Sequence, residues 1–67
     1  MKLWKCKVVN NSMIEYYTPG VVYKELGDGT IATNNHSHYG EWSSFSHNDG
    51  VIVDDGDEVV IFCEIPY

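Results

Sequence analysis

Three histidines lie in a short polar part of this 67-residue chain, and they are the first candidates for chemistry. His36 and His38 are two positions apart, so in a strand both imidazoles would lie on the same side, and His47 could approach them from the next strand. With Asp49 or Glu41 as a fourth ligand, this set could form a zinc site. Structural zinc sites in small domains generally use closely spaced cysteine pairs, which are absent here. We therefore interpret the stretch as a solvated loop without metal and keep zinc as an alternative.

Four acidic residues, Asp54, Asp55, Asp57 and Glu58, surround Gly56. A calcium loop of the EF-hand type needs acids at alternating positions, a central glycine and a distant bidentate glutamate, and this stretch does not match that pattern. We interpret it as a negatively charged hairpin turn. No cofactor is expected.

The chain shows no recognisable catalytic motif. Cys6 or Cys63 with a histidine could supply a thiolate and a base, and paired carboxylates could supply an acid and a base. Catalysis also needs a concave pocket, whereas a barrel of this length is normally filled by its own side chains. We expect a protein that is not an enzyme.

The two cysteines lie near opposite ends of the chain, where the first and last strands of a small barrel often pair. A disulfide between Cys6 and Cys63 is therefore one interpretation, and buried free thiols are the favoured one. The N-terminal stretch MKLWKCKVV has a charged start without a long apolar run, so we expect neither a secretory signal nor a membrane span. The expected location is the cytoplasm.

Charge is divided unevenly along the chain. The formal net charge is −6, with +3 in residues 1–24, which contain all four lysines, and −9 in residues 25–67, which contain no lysine or arginine. This acidic chain would repel the phosphates of nucleic acid, and its binding would release few counterions. Direct binding to DNA or RNA is therefore not expected. A basic protein surface is the more natural partner.

The apolar pattern predicts one domain, residues 1–67, built from short strands. KLWKCKVVN alternates with period two, so that Trp4, Cys6 and Val8 share one face. Further strands are predicted at VVYKEL, TIAT, GEWSSF, VIV and EVVIFCEI, separated by the turns GDGT, HNDG and DDGDE. Ser12 and Glu15 have capping-box spacing, but Pro19 and the short span allow at most a turn or two of helix.

These strands predict a small twisted β-barrel of five to six antiparallel strands, because closure removes exposed sheet edges. The predicted core residues are Trp4, Val8, Val22, Tyr23, Ile31, Trp42, Phe45, Val59, Ile61 and Cys63.

The order of these segments resembles a known group of proteins. A cysteine in the first strand (Cys6), a Gly-x-x-Tyr start to the second (Gly20 and Tyr23) and a short Asp-Gly turn (Asp28 and Gly29) are similar to features of the small SH3-like barrel proteins of phages that infect Gram-positive bacteria. This resemblance implies a phage-encoded accessory protein that binds and redirects a host protein.

Aromatic residues outside the predicted strands are candidates for a partner surface. Tyr16, Tyr17 and Tyr39 fall in predicted loops, where tyrosine often anchors an interface. With Glu41 and the four acids of the predicted turn, they would suit a basic, partly apolar protein patch. The leading hypothesis is a non-enzymatic phage protein that binds a host protein and inhibits or redirects it, with imitation of the phosphate backbone of DNA against a basic nucleic-acid-binding protein as one mechanism. The alternative is a self-associating structural module, a homodimer, in which acidity serves only solubility.

Overall fold

The computed structural model describes residues 2–35 and 43–66, and these form an all-β structure. The strands are β1 (Leu3–Val9), β2 (Val22–Lys24), β3 (Thr30–Ala32), β4 (Ser44–Ser46), β5 (Val51–Asp54) and β6 (Asp57–Ile65). The all-β prediction of five to six short antiparallel strands is confirmed. Closure of an SH3-like barrel stays a prediction.

Two antiparallel sheets contain these strands. One has four strands in the order β2-β1-β6-β5, and the other pairs β3 with β4. An isolated bridge between Glu25 and Ile31 connects β2 to β3. Beyond this bridge the chain that follows β3 bonds elsewhere, since the Asn34 N–H donates to the Tyr16 carbonyl.

Two tight turns have the backbone that Asp-Gly sequences favour. Asp49 and Gly50 have φ of 53° and 86°, and Asp55 and Gly56 have φ of 53° and 82°. Two successive positive φ angles are typical of two-residue type I′ hairpin loops, in which glycine at the second position is free of strain. The predicted turns HNDG and DDGDE are confirmed.

The turn between β2 and β3 is built differently. Only Gly29 has a positive φ, 85°, while the Asp28 side chain accepts hydrogen bonds from both the backbone N–H and the hydroxyl of Thr30. The side-chain hydroxyl bond, followed by the backbone bond, lowers the pKa of the Asp28 carboxyl below its ordinary value. An Asp-Gly pair in a hairpin turn is expected to have positive φ at both residues, and for Asp28 this expectation was wrong.

The connection between β1 and β2 contains a 3₁₀ helix, Asn11–Met13. Its N-cap is Asn10, whose side-chain oxygen accepts from the Ser12 N–H. The prediction of at most a turn or two of helix is confirmed, but the cap is Asn10 and not Ser12, the first residue of the capping-box spacing. Asparagine serves as well as serine at an N-cap, so the local pattern did not distinguish them.

The core lies on the inner face of the four-stranded sheet and is rich in aromatic side chains. Of the predicted core residues, Trp4, Tyr23, Ile31 and Val59 are buried, and Phe45 and Ile61 are half-buried. Trp42 lies outside the described residues. Cys6 is buried, as the interpretation of buried free thiols predicted, and the buried apolar side chains that were not predicted are Met13, Tyr17, Ala32, Ile52, Val60 and Phe62.

Val8, Val22 and Cys63 were predicted to be buried and are exposed. A register shift in β1 explains the exposure of Val8. Between Cys6 and Val8, two steps along β1 match a single step along β6, so Lys7 is an extra residue and Val8 is turned outward. A second shift, opposite Ile52 and Val53, allows the neighbours Val59 and Val60 both to be buried.

Candidate interaction surface

The acidic residues of the β5–β6 hairpin lie together at its tip. Asp54 and Asp57 are directly opposite each other, Asp55 is in the turn, and Glu58 pairs with Val53. All four acidic side chains are exposed. The structure thus places the four predicted acidic residues at one end of the hairpin, called here the acidic tip.

The lysines lie on the other half of the four-stranded sheet. Lys5 and Lys7 are in β1 and Lys24 is in β2, the edge strand farthest from β5. Within residues 2–35 and 43–66, the one lysine salt bridge joins Lys2 Nζ to Glu64 Oε1 at 3.9 Å, between two well-exposed side chains. The carboxylates of the acidic tip are therefore not neutralised by any of these lysines.

The tyrosines predicted to anchor a partner differ in their exposure. Tyr17 is completely buried, and its hydroxyl donates to the Ile31 carbonyl at 2.7 Å. Burial raises the pKa of Tyr17 above its ordinary value. The prediction that Tyr17 contacts a partner was wrong, because its ring packs edge-to-face against Tyr23 and Phe62 at the centre of the core.

Tyr16 is half-buried and packs edge-to-face against Phe45, with ring centroids 5.1 Å apart. Part of this ring is accessible, so its role in binding stays a prediction. Tyr39 and Glu41, the other partner-binding candidates, lie outside the described residues.

His47 is held by three neighbours. Its Nε2 lies 2.7 Å from Glu25 Oε1, its Nδ1 accepts from the Gly50 N–H at 2.9 Å, and its ring meets the edge of Trp4 with centroids 5.1 Å apart. Because Nδ1 accepts a hydrogen bond, this network assigns the ring proton to Nε2, which donates to Glu25.

Both ring nitrogens of His47 are thus engaged within the protein. Among the described residues, no group of three or more histidine, cysteine or acidic side chains is arranged to hold a metal ion. The other two zinc candidates, His36 and His38, lie outside those residues.

Glu25 connects this cluster to the core tryptophan, and no local sequence pattern indicates this role. Its Oε1 also accepts from Trp4 Nε1 at 3.1 Å. Desolvation raises the pKa of the Glu25 carboxyl, but the hydrogen bonds from His47 and Trp4, with the nearby charge of Lys2, lower it by more. The net result is a pKa below the ordinary value, so Glu25 is held as the carboxylate.

The cysteines are on opposite sides of the sheet. Cys6 pairs with Phe62 and is buried, whereas Cys63 pairs with Lys5 and is exposed. The expected pairing of the first and last strands is confirmed, yet the thiols point away from each other and both are free. Burial raises the pKa of Cys6, which makes its thiolate scarce and its nucleophilicity low.

A groove of about 320 Å³ opens where β2 and β3 separate. Val21, Val22 and Lys24 form one wall, and Thr33 and Asn34 contribute to the other. Tyr23 Oη donates to Asn34 Oδ1 at 2.8 Å and accepts from the Thr18 N–H. The Tyr23 hydroxyl therefore already donates and accepts within the protein, and its bond to Asn34 connects the two walls.

Comparisons with protein-family models, with curated proteins and with solved structures give no match to this chain. The described residues include no helix long and apolar enough to cross a bilayer.

Proposed function

We propose that this chain is a non-enzymatic binding protein whose acidic tip binds a basic surface on another protein. The observation that carries the proposal is the group of four exposed carboxylates, Asp54, Asp55, Asp57 and Glu58, without a lysine partner. Complementary charge on a partner would accelerate association and favour basic over acidic surfaces.

The rigidity of the hairpin supports this role. The Asp55-Gly56 turn has the φ angles of a type I′ loop, and pairing continues to Asp54 and Asp57 at its base. Carboxylates on a paired strand lose less conformational freedom on binding than carboxylates on a flexible loop.

The class of partner follows from the chemistry of the tip. Closely spaced carboxylates imitate the phosphates of a nucleic-acid backbone, so a basic nucleic-acid-binding protein is the target we infer. The resemblance to small phage barrel proteins supports a setting in the cytoplasm of a Gram-positive host, where the chain would inhibit or redirect that target.

The test is affinity capture from a Gram-positive lysate with three forms of the protein. We expect the wild type to retain a basic protein, and a variant carrying Asp54→Asn, Asp55→Asn, Asp57→Asn and Glu58→Gln to lose it. The matched control carries Glu15→Gln, Asp28→Asn, Asp49→Asn and Glu64→Gln, which gives the same net charge with an intact tip. Retention by the control but not by the tip variant supports the proposal.

Equal retention by the tip variant and the wild type would overturn it. Duplex DNA should also displace the captured protein if the tip occupies a nucleic-acid site. A captured protein that binds duplex DNA and this chain at the same time would exclude DNA mimicry. Expression of the wild type alone should slow bacterial growth, and expression of the tip variant should not.

A further inference from the structure

The outer face of the four-stranded sheet is apolar, although such a face is usually polar when it meets water. Trp4, Cys6, Ile52 and Phe62 are buried and define the inner face. Side chains alternate along a strand, so the residues that lie between these positions point outward, and so do the residues that pair with those outward residues in the ladder. Eight apolar residues lie on this side, called here the outer face: Leu3, Val8, Val22, Val51, Val53, Ile61, Cys63 and Ile65.

None of these eight side chains is buried. Four are exposed, including Val8 at 58% and Val53 at 56%, and the other four are half-buried. Seven of them adjoin one another through the ladder pairs Leu3–Ile65, Val8–Ile61 and Val51–Ile61 and through alternate positions of β5 and β6, whereas Lys5 separates Val22 from Cys63. A continuous apolar surface on a chain of this length marks an interaction site.

Charges on the outer face are divided between two opposite corners. Lys24 is opposite Leu3, at the β2 side and the Leu3 end of the sheet, and Lys5 lies on β1 between Val22 and Cys63. Glu58 is opposite Val53, at the β5 side and the other end. The face therefore has a positive corner at Lys24 and a negative corner at Glu58, with Lys5 next to the positive corner and apolar residues beyond it.

We propose that the outer face is a self-association surface and that its occupant is a second copy of this chain. Consider a two-fold axis that lies in the plane of the interface, perpendicular to the line that joins the two corners. Rotation about this axis would place each positive corner on the negative corner of the other copy. Apolar residues would fill most of the space between the corners, and Lys5, beside Cys63, would extend its ammonium group out of the interface. A two-fold interface uses the same patch twice, which this self-complementary arrangement satisfies.

In this arrangement the strands of the two sheets cross steeply, as in orthogonal sheet packing. Cys63, on the central strand β6, would lie near the two-fold axis. Asp54 and Asp57 follow Val53 and precede Glu58 in their strands, so they point away from the outer face. The dimer would thus leave these carboxylates free for the partner proposed above.

Sedimentation equilibrium at low salt, from micromolar to millimolar concentration, tests the proposal. We expect the wild type to reach twice the monomer mass, and Val8→Lys to raise the dissociation constant at least about tenfold, since an unpaired ammonium would be buried. The matched control is Ile14→Lys, because Ile14 is also exposed, at 50%, but lies in the turn after the 3₁₀ helix. This control should associate as the wild type does.

Charge reversal tests the orientation. Lys24→Glu and Glu58→Lys should each weaken association, and the double variant should restore it, because every opposite-charge contact occurs twice. A short bismaleimide should join two chains through Cys63 in the wild type and much less in Val8→Lys.

A wild-type monomer at every concentration would overturn the proposal, as would equal association of Val8→Lys and Ile14→Lys. Failure of the double variant to recover would overturn the corner-to-corner orientation. Val8→Lys retains the acidic tip, so its capture of a basic protein tests the proposed function separately from the dimer.

Discussion

Gly50 determines how closely the turn before β5 can approach Trp4. A Cβ atom at this position would lie 2.7 Å from Trp4 Cζ3 and 3.2 Å from the Phe62 carbonyl oxygen, and φ is 86°. The Gly50 N–H also donates to His47, so the close approach positions the imidazole. Glycine is required here both for its backbone angle and for its lack of a side chain.

Gly50→Ala should therefore destabilise the fold strongly. Gly56→Ala is the matched control, since Gly56 has φ of 82° but a Cβ atom there would meet nothing within 4 Å. We expect the control to lose about 1 kcal/mol from backbone strain, and Gly50→Ala to lose about 1–3 kcal/mol more from the clash. Urea unfolding measures both, and equal losses would show that contact with Trp4 does not matter.

Glu25 should make the stability of the protein depend on pH in the acid range. Its folded pKa is below the ordinary value, so its stabilising contribution is complete above the unfolded pKa of about 4.3 and is lost as pH falls through the folded pKa. Glu25→Gln should cost ~1 kcal/mol at neutral pH, because charge-assisted hydrogen bonds from Trp4 and His47 are weakened.

Unfolding free energies from neutral to acid pH check this expectation. The difference between wild type and Glu25→Gln should shrink as Glu25 becomes protonated. Glu15→Gln, at an exposed side chain, is the control and should give a smaller change. A constant difference between wild type and Glu25→Gln across the whole range would contradict the role of the carboxylate charge.

At the scale of elements, the β5–β6 hairpin combines a favourable turn with unfavourable charge. Asp54 and Asp57 are directly opposite across the ladder, and like charges at such positions are destabilising. Carboxylates that reduce stability and stay exposed are consistent with a binding role.

Removing one of these charges should stabilise the protein. Asp57→Asn is expected to raise the free energy of unfolding by ~0.5 kcal/mol at low salt, with a smaller gain at high salt because repulsion is screened. Thermal unfolding at two salt concentrations measures the effect, with Glu15→Gln as the control. A decrease in stability would mean that Asp57 makes a stabilising contact that the hairpin geometry does not reveal.

The elements themselves could be predicted because their signals are local. Period-two alternation identified β1, and Asp-Gly pairs identified the hairpin turns. The bulge at Lys7 was not predictable, since nothing in KCKVV marks which residue is extra, and one extra residue reverses the face of Val8. Tyr17 shows the same limit, because its position in a connection suggested exposure while tertiary packing buried it.

In the candidate site, too, local features could be predicted and long-range contacts could not. The acidic tip could be recognised from adjacent carboxylates in a turn, a local pattern. The contact of Glu25 with His47 joins residues 22 positions apart, and the outer face depends on the pairing of four strands. Such features arise from register, and a single sequence carries no direct signal of register.

At the scale of the whole molecule, charge is divided between two halves of one sheet. Lysines lie on β1 and β2, and the acidic tip extends from β5 and β6. This division gives the molecule a negative end for a basic partner and, on the outer face, opposite corners that can pair in a dimer. Both proposals thus depend on the same strand order.

Recognition of a partner by the acidic tip is tested most sharply by the salt dependence of the dissociation constant between this chain and the basic protein that it captures. We predict that binding weakens steeply as salt rises and that the four substitutions of the acidic tip remove most of this dependence, while the charge-matched control preserves it. Binding that is insensitive to salt, or equally sensitive in the tip variant and the wild type, would contradict the claim that the acidic tip recognises the partner.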